Sequence, residues 1–276
     1  MCATYFAESK SHLIELNQSL LSYVRKIAEK AGEAILTFYK RDDIEVQFKN
    51  DLSPLTEADL ASNSIITRAL KEITTKIPIL SEEGKSMYNN DDTFWCVDPL
   101  DGTKEFIKQN GEFTVNIALI KNNQPVLGVI HIPVTNITFM AIKYEGAFKV
   151  ENNQIKYLAK QLAENRQPTI FAVSRSHLNQ TTKDFIKQHQ AITIAAGSSI
   201  KLTLLAEGKA DAYPRFGPTS LWDMAAGHAI LKETGGEIYK LNQQPLVYNM
   251  NEQINPNLIA VRHKNMQFVI EEKLES

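Results

Sequence analysis

The sequence predicts a mixed α/β fold of the α+β kind. Three patterns predict it: amphipathic helical stripes near the start, short apolar runs parted by turn residues in the middle, and alternating strand and helix patterns toward the end. The chain of 276 residues has room for one large domain or two modest ones. With 43% hydrophobic and 22% charged residues it has ordinary globular usage, which excludes wholesale disorder and low-complexity architectures. Its 32 acidic and 30 basic side chains give a net charge of −2, which argues against a nucleic acid polymer held by bulk electrostatics.

The first element is helical. Leu20, Val24, Ile27, Ala31, Ala34, Ile35 and Phe38 recur at spacings of three and four. Ile44, Val46 and Phe48 alternate with polar residues, as a strand does. A second helix is expected from just after Thr56 to about Lys71, with Ala58, Ala61, Ile65 and Ala69 on one face. Residues 77–80 and 94–97 are short apolar runs that suit buried strands. Residues 114–120, 126–132, 138–142 and 147–150 read as antiparallel strands, with turns at Asn122-Asn123, Pro133 and Glu145-Gly146. From 156 to 167 the chain turns polar and loses any apolar period, which places a domain boundary there. Beyond it, strands at 169–174 and 192–195 alternate with helices at 180–190, 199–207 and from about Leu221.

Two cysteines, Cys2 and Cys96, allow one disulfide at most, and Cys96 lies in an apolar run that suits a buried thiol. The start of the chain lacks the basic stretch and apolar core of a secretory signal. The most apolar stretch, 126–134, is far shorter than the roughly 20 residues of a spanning helix. No transmembrane segment and a cytoplasmic location are expected.

The segment Asp98-Pro99-Leu100-Asp101-Gly102-Thr103 follows the apolar run 94–97 directly. Two carboxylates at a strand end can converge if the chain turns, and Pro99 and Gly102 favour turning. Hard divalent cations take oxygen ligands, which Asp98, the Leu100 carbonyl and Asp101 can supply. Thr103 is then placed to cap a helix from about Lys104, whose free N–H groups suit a phosphate oxygen. Asp-Pro and Asp-Gly are ordinary turn dipeptides singly; the combined string after a buried strand points to metal. Glu82 likewise follows an apolar run. Asp223 and Asp59 each sit in the first turn of an expected helix, where a carboxylate also serves as a plain cap. An Asp59 hydrogen-bonded to a threonine can instead help activate a water. No G-x-S-x-G elbow, H-E-x-x-H pair or complete Walker A loop is present.

Taken in order, Lys49-Asn50-Asp51, Thr56–Asp59, Glu82-Glu83, DPLDGT at 98–103 and WDMAAG at 222–227 resemble the lithium-sensitive, Mg²⁺-dependent phosphomonoesterases of the inositol monophosphatase superfamily. The resemblance implies a layered α-β-α-β-α sandwich. Two or three Mg²⁺ ions would be held by Glu82, Asp98, the Leu100 carbonyl, Asp101 and Asp223, while Asp59, Thr103 and Glu82 position or deprotonate the attacking water. It also implies a division at 157/158 into a metal-binding domain (1–157) and a substrate-facing one (158–276), with the active site in the cleft between.

The finer resemblance is to the CysQ-type 3′(2′),5′-bisphosphate nucleotidases, on DPLDGTKEF at 98–106, GSSIK at 197–201 and YPRFGPTSLWD at 213–223. It implies removal of the 3′-phosphate of adenosine 3′,5′-bisphosphate by metal-activated water, in support of sulfur assimilation, with 3′-phosphoadenylyl sulfate as a further small-molecule substrate. Gly102, Thr103, Ser174, His177, Gly197, Lys201, Arg215 and Asp223 are then the expected substrate contacts. The resemblance adds peripheral attachment to the inner membrane as an alternative location, although no basic amphipathic helix is present to anchor it. The rival readings are an inositol or sugar monophosphate phosphatase with the same metal site, and a non-catalytic regulator that binds a phosphorylated ligand. His228, Phe106 and Trp222 are expected to be packing residues.

Overall fold

The N-terminal stripe forms helix α1 (Gln18–Phe38), started by Asn17, whose side chain accepts from the Leu20 N–H at 2.9 Å. In this computed structural model the described residues are 15–39, 46–48, 54–84, 91–162, 166–176 and 178–268. The strand expected at 44–48 is present as β1 (Val46–Phe48), its first two residues lying outside the described ones. It pairs antiparallel with β2 (Pro54–Thr56), which has no sequence pattern of its own. Helix α2 (Glu57–Ile73) packs beside α1.

Next come β3 (Ile79–Ser81), β4 (Phe94–Asp101), the one-turn helix α3 (Thr103–Ile107), β5 (Thr114–Lys121), β6 (Gln124–Ile132), β7 (Ile137–Ile142), β8 (Gly146–Glu151) and β9 (Gln154–Leu158). These strands form a seven-stranded sheet in chain order, parallel only between β3 and β4. The β5–β6 and β8–β9 connections are tight turns in which both asparagines, Asn122-Asn123 and Asn152-Asn153, take positive φ as twisted hairpins demand. Strand β9 runs into the start of the stretch read as polar and without an apolar period, 156–167. It is an edge strand with Ile155 and Tyr157 exposed, so no buried face marked it in the sequence.

A second sheet is built from β10 (Ile170–Ser174), β11 (Ile192–Ala196), β12 (Ala212–Arg215), β14 (Glu237–Lys240) and β16 (Leu258–Val261), in the order β11-β10-β12-β16-β14. Its connections include α4 (Gln180–Gln188), α5 (Ile200–Ala206) and α6 (Leu221–Glu233). A short antiparallel pair, β13 (Thr219–Ser220) with β15 (Ile254–Asn255), braces the entry to α6.

The layers follow from which residues are buried together. On β5, Val115, Ile117 and Leu119 join the core under α1 and α2, while Ala118 and Ile120 join the core under α5 and α6. That alternation is the two-residue period of a strand buried on both faces. Phe185 of α4 stacks on Phe171 of β10 at 5.6 Å, covering the outer face of the second sheet. The order is α1/α2, first sheet, α5/α6, second sheet, α4. The middle cluster holds residues of both sheets, so the two halves share one core.

Helix α6 fits the middle layer because it is built of small residues. It packs on β4 to β8, and a side chain at Gly128 of β6 would meet the Ala226 carbonyl and, at 2.8 Å, the Ala229 Cβ. His228 is fully buried within α6, bonded to Tyr248 at 3.0 Å and to Glu237. Phe106 is buried against Tyr39 and Phe113, and Cys96 is a buried free thiol. Among the described residues no helix is long and apolar enough to cross a membrane. Gly128→Ala is expected to destabilise the protein by about 1–3 kcal/mol, since backbone and not a flexible side chain must move. Urea unfolding of the two proteins measures it.

Candidate active site

Strand β4 does not stop at Val97 as its apolar run suggests. It continues to Asp101, with a register shift between Asp98 and Asp101. Asp98 pairs with Asn116 and Asp101 with Thr114, so three residues on β4 span two on β5. In a regular strand, residues three apart point to opposite faces. The extra residue of this bulge returns Asp101 to the face of Asp98, Cys96 and Phe94, toward α6. Gly102 follows with φ +92°, a left-handed turn that glycine adopts without strain.

Asp223, in the first turn of α6, faces the pair. Each of Asp98, Asp101 and Asp223 offers an oxygen within 4.8 Å of the others. Glu82, just after β3, lines the same cleft, shares a side-chain hydrogen bond with Asp98, and donates its N–H to the Val97 carbonyl at 3.1 Å. Other contacts fix these carboxylates. Leu100 N–H donates to Asp98 at 3.1 Å; Asn116 and Ser199 donate to Asp101 at 3.2 and 2.8 Å; Ser62 holds the Pro99 carbonyl at 2.7 Å. The Ser220 N–H caps onto one Asp223 oxygen at 2.9 Å, leaving the other for the cleft.

Asp59 divides its oxygens in the same way. One accepts from the Thr56 N–H and hydroxyl at 2.8 and 2.6 Å, and the other from the Thr103 hydroxyl at 3.1 Å. Capping therefore uses one oxygen of Asp59 and of Asp223 and leaves the other to Thr103 and to the carboxylate cluster, respectively. Thr103 corrects the expected cap: Gly102 is the N-cap of α3, and the Thr103 hydroxyl turns to Asp59. Helix α3 has only five residues, so its dipole at the phosphate position is slight.

Burial is the main force on the charges. It raises Asp98 well above the usual carboxylate range, reinforced by Glu82, Asp101 and Asp223. Asp223 is raised to about 8 by burial and then by Asp101. Burial also raises Asp101, opposed by Lys201 and by the Ser199 and Asn116 donors, and raises Asp59 against its Thr56 donors. Crowded oxygen donors that are costly to ionise together are the donor set a hard divalent cation takes, and such a cation displaces their protons.

The cleft has a volume of about 710 Å³. Glu82, Asp98, Leu100, Asp101, Gly102, Thr103, Asp223, Ser174, Lys201 and Arg215 all line it, so the structure brings these sequence-expected residues together. His177 and the Lys49-Asn50-Asp51 string lie outside the described residues. Gly197 is absent from the lining. Its N–H is engaged by Glu112 at 2.7 Å, and Ser198 of the same GSSIK string faces the cleft instead. Lys201 is buried, its ammonium donating to the carbonyls of Ala196 (3.4 Å) and Ser198, with its pKa lowered to about 8 by burial against the pull of Asp101. Lys201 lines the cleft with its charge beside the acids, where it opposes the rise in the Asp101 pKa. The Ser198 hydroxyl and Arg215 Nε are buried without a hydrogen-bond partner among the described residues. Asn116, Ser198, Ser199 and Ser62 were not singled out from the sequence. Asn116, polar within an otherwise apolar strand, carried a visible signal; the serines did not.

An inositol monophosphatase family model matches residues 16–275. The chain belongs to that family. It is 42% identical to the 3′(2′),5′-bisphosphate nucleotidase CysQ of Escherichia coli K12 over 86% of this chain and 97% of the relative. It is 35% identical to the protein of the same name from Haemophilus influenzae over 90% and 95%. The crystal structure of CysQ from Bacteroides thetaiotaomicron, a bacterial member of the family, superposes with a TM-score of 0.78 at 42% identity, covering 90% of this chain and 98% of that one. The Thermotoga maritima IMPase shares the fold at 23% identity and a TM-score of 0.74.

A carboxyl whose pKa is higher in the folded than in the unfolded chain favours folding at low pH and loses that contribution as pH rises through the folded value. The metal-free protein is expected to melt at lower temperature as pH rises through about 8, the value for Asp223. Mg²⁺ is expected to raise the melting temperature most at the alkaline end. Calorimetry after chelation measures both, and Asp223→Asn is expected to flatten the slope. Asn116→Ala, which frees Asp101, is expected to cost ~10–100-fold in metal affinity or activity.

Proposed function

We propose that the protein is a Mg²⁺-dependent 3′(2′),5′-bisphosphate nucleotidase. It removes the 3′-phosphate of adenosine 3′,5′-bisphosphate to give AMP and phosphate, takes 3′-phosphoadenylyl sulfate by the same chemistry, and serves sulfur assimilation in the cytoplasm. One observation carries the reading: three carboxylates from two elements converge within 4.8 Å in a cleft that Arg215 also lines, its Nη2 donating to the Pro218 carbonyl at 2.7 Å and its buried Nε without a partner among the described residues. A cation site alone suits any phosphomonoester; a guanidinium with an unpaired Nε in the same cleft suits a second phosphate. The relatives named as bisphosphate nucleotidases support that choice.

Glu82, Asp98, the Leu100 carbonyl, Asp101 and Asp223 would hold two or three cations. When bound, these neutralise the phosphate dianion, lower the pKa of water and stabilise the leaving oxygen. Thr103 gives its hydroxyl hydrogen to Asp59 and keeps lone pairs to accept one from the attacking water. Asp59, raised by burial, takes up that proton through Thr103 as the water oxygen bonds to phosphorus and the P–O bond to the ribose 3′ oxygen breaks; the departing oxygen gains a proton from solvent to become the 3′-hydroxyl, and Asp59 returns its own to solvent. Glu82, at the cleft edge beside Asp98, helps orient the water. Ser174, Ser198 and Arg215 face the nucleotide side, and Lys201 steadies Asp101 from beneath. The sequence pattern offers no activated serine, cysteine or histidine for a phosphoenzyme.

Phosphate release from adenosine 3′,5′-bisphosphate and inositol 1-phosphate, with Mg²⁺ and with or without Li⁺, tests the assignment. Preference for the nucleotide and inhibition by Li⁺ are expected; preference for the inositol ester overturns the substrate. Asp101→Asn is expected to lower kcat about a thousandfold, equivalent to the several kcal/mol of charge stabilisation at stake. Unchanged turnover would remove the metal mechanism.

A further inference from the structure

Glu112 lies between α3 and β5, outside the cleft lining and outside the metal set. Its carboxylate accepts three hydrogen bonds from the other half of the chain: Arg175 Nε at 2.6 Å, Arg175 Nη2 at 2.7 Å and the Gly197 N–H at 2.7 Å. Burial acts to raise its pKa, but the donors from Arg175 and Gly197 outweigh it and hold Glu112 below the usual carboxylate range. A second contact runs beside the first. Ser176 donates to Glu105 at 2.5 Å and accepts from Lys108 at 3.3 Å.

Arg175 and Ser176 follow Ser174 directly, and Gly197 precedes Ser198. Both segments gripped thus carry cleft-facing serines. They are tied to each other by Arg175, whose N–H donates to the Ala196 carbonyl at 3.2 Å and whose guanidinium donates to the Ala195 carbonyl at 2.8 Å. On the metal side, Glu105 belongs to α3, which begins one residue after Gly102 and two after Asp101. Gly197 permits the approach, for a side chain there would meet the Glu112 carbonyl at 2.6 Å and Glu105 Cγ at 2.8 Å.

Ser199 already ties the 197–201 turn to Asp101 through its hydroxyl. The same hydroxyl bonds the Asp223 carbonyl at 2.9 Å and Asn116 at 2.8 Å, so these attachments meet at one residue, and the Glu112 contact at Gly197 holds the turn at a separate point. We propose that Glu112 and Arg175 are positioning residues for the nucleotide, a bidentate clamp that sets the Ser174 and Ser198 segments at a fixed distance from the metal-binding carboxylates. The clamp rests on the function proposed above: it governs how a bisphosphate spans the cleft and leaves the phosphate-cleaving residues untouched. Arg serves here through its planar fork, which a lysine cannot reproduce.

Steady-state kinetics of Arg175→Met and Arg175→Lys, with adenosine 3′,5′-bisphosphate and with 3′-AMP, tests the clamp. For the bisphosphate, Arg175→Met is expected to raise KM about tenfold with kcat within about twofold, within the range that slight misplacement costs. KM for 3′-AMP, which lacks the second phosphate, is expected to stay within about twofold, and Arg175→Lys to fall between Arg175→Met and wild type. Equal KM values in variant and wild type overturn the clamp. So does a matching loss on both substrates together with a lower melting temperature, which marks a merely structural pair. If the wild type hydrolyses neither nucleotide, the proposed function falls and amide exchange decides the clamp without substrate. Faster exchange across 195–199 in Glu112→Ala then supports it, and unchanged exchange overturns it.

Discussion

The site depends on one extra residue in β4. Hydrogen bonding to β5 fixes where each residue of β4 must lie, and the bulge after Asp98 breaks the two-residue alternation once. Without it, Asp101 would point under α1 and α2, into a layer of aliphatic and aromatic side chains with nothing to offset its charge. With it, the two aspartates share the face covered by α6, where Asp223 waits. Pro99 suits the break, since a proline has no N–H to give a ladder.

The second economy is that carboxylates do two jobs. Asp59 and Asp223 each spend one oxygen closing the first turn of a helix and present the other to Thr103 and to the carboxylate cluster, respectively. The cap sets the side chain's direction before any ligand arrives, so the ligand need not pay to order it. Asp101 is held by a different device, a serine and an asparagine that occupy one oxygen from the side. The acids are thus oriented by uncharged donors, with Lys201 the buried cation nearby, and their mutual repulsion is left for divalent ions to relieve.

Much of this was legible in the chain. The strands of the first sheet stood out because burial on one or both faces leaves an apolar pattern, and α1 because its stripe is long. The carboxylates were legible because DPLDGT and WDMAAG are dense with side chains that have few other reasons to stand together. Three things were not. The bulge is a matter of pairing between β4 and β5, and no residue announces it. Strand β9 buries too little to leave a pattern. Within GSSIK the glycine and lysine are the distinctive letters, yet the plain Ser198 faces the cleft, Gly197 turns its N–H to a carboxylate 85 positions earlier, and Lys201, though it lines the cleft, gives its ammonium to backbone carbonyls. Which member of a string points where is decided by tertiary contacts, and a string alone does not hold them.

Helix α6 is packed closely against both the first sheet and α5: a side chain at Gly128 of β6 would meet its Ala226 carbonyl, and one at its own Gly227 would meet Leu202 of α5. The helix that carries Asp223 is accordingly among the least adjustable parts of the molecule. Variation that reshapes the hydrolytic centre must first disturb the middle of the fold, whereas the exposed rim, with Pro218 and Ile254, can be rewritten cheaply. A scaffold of this kind keeps its reaction and trades its substrates: descent can change what is dephosphorylated long before it can change how.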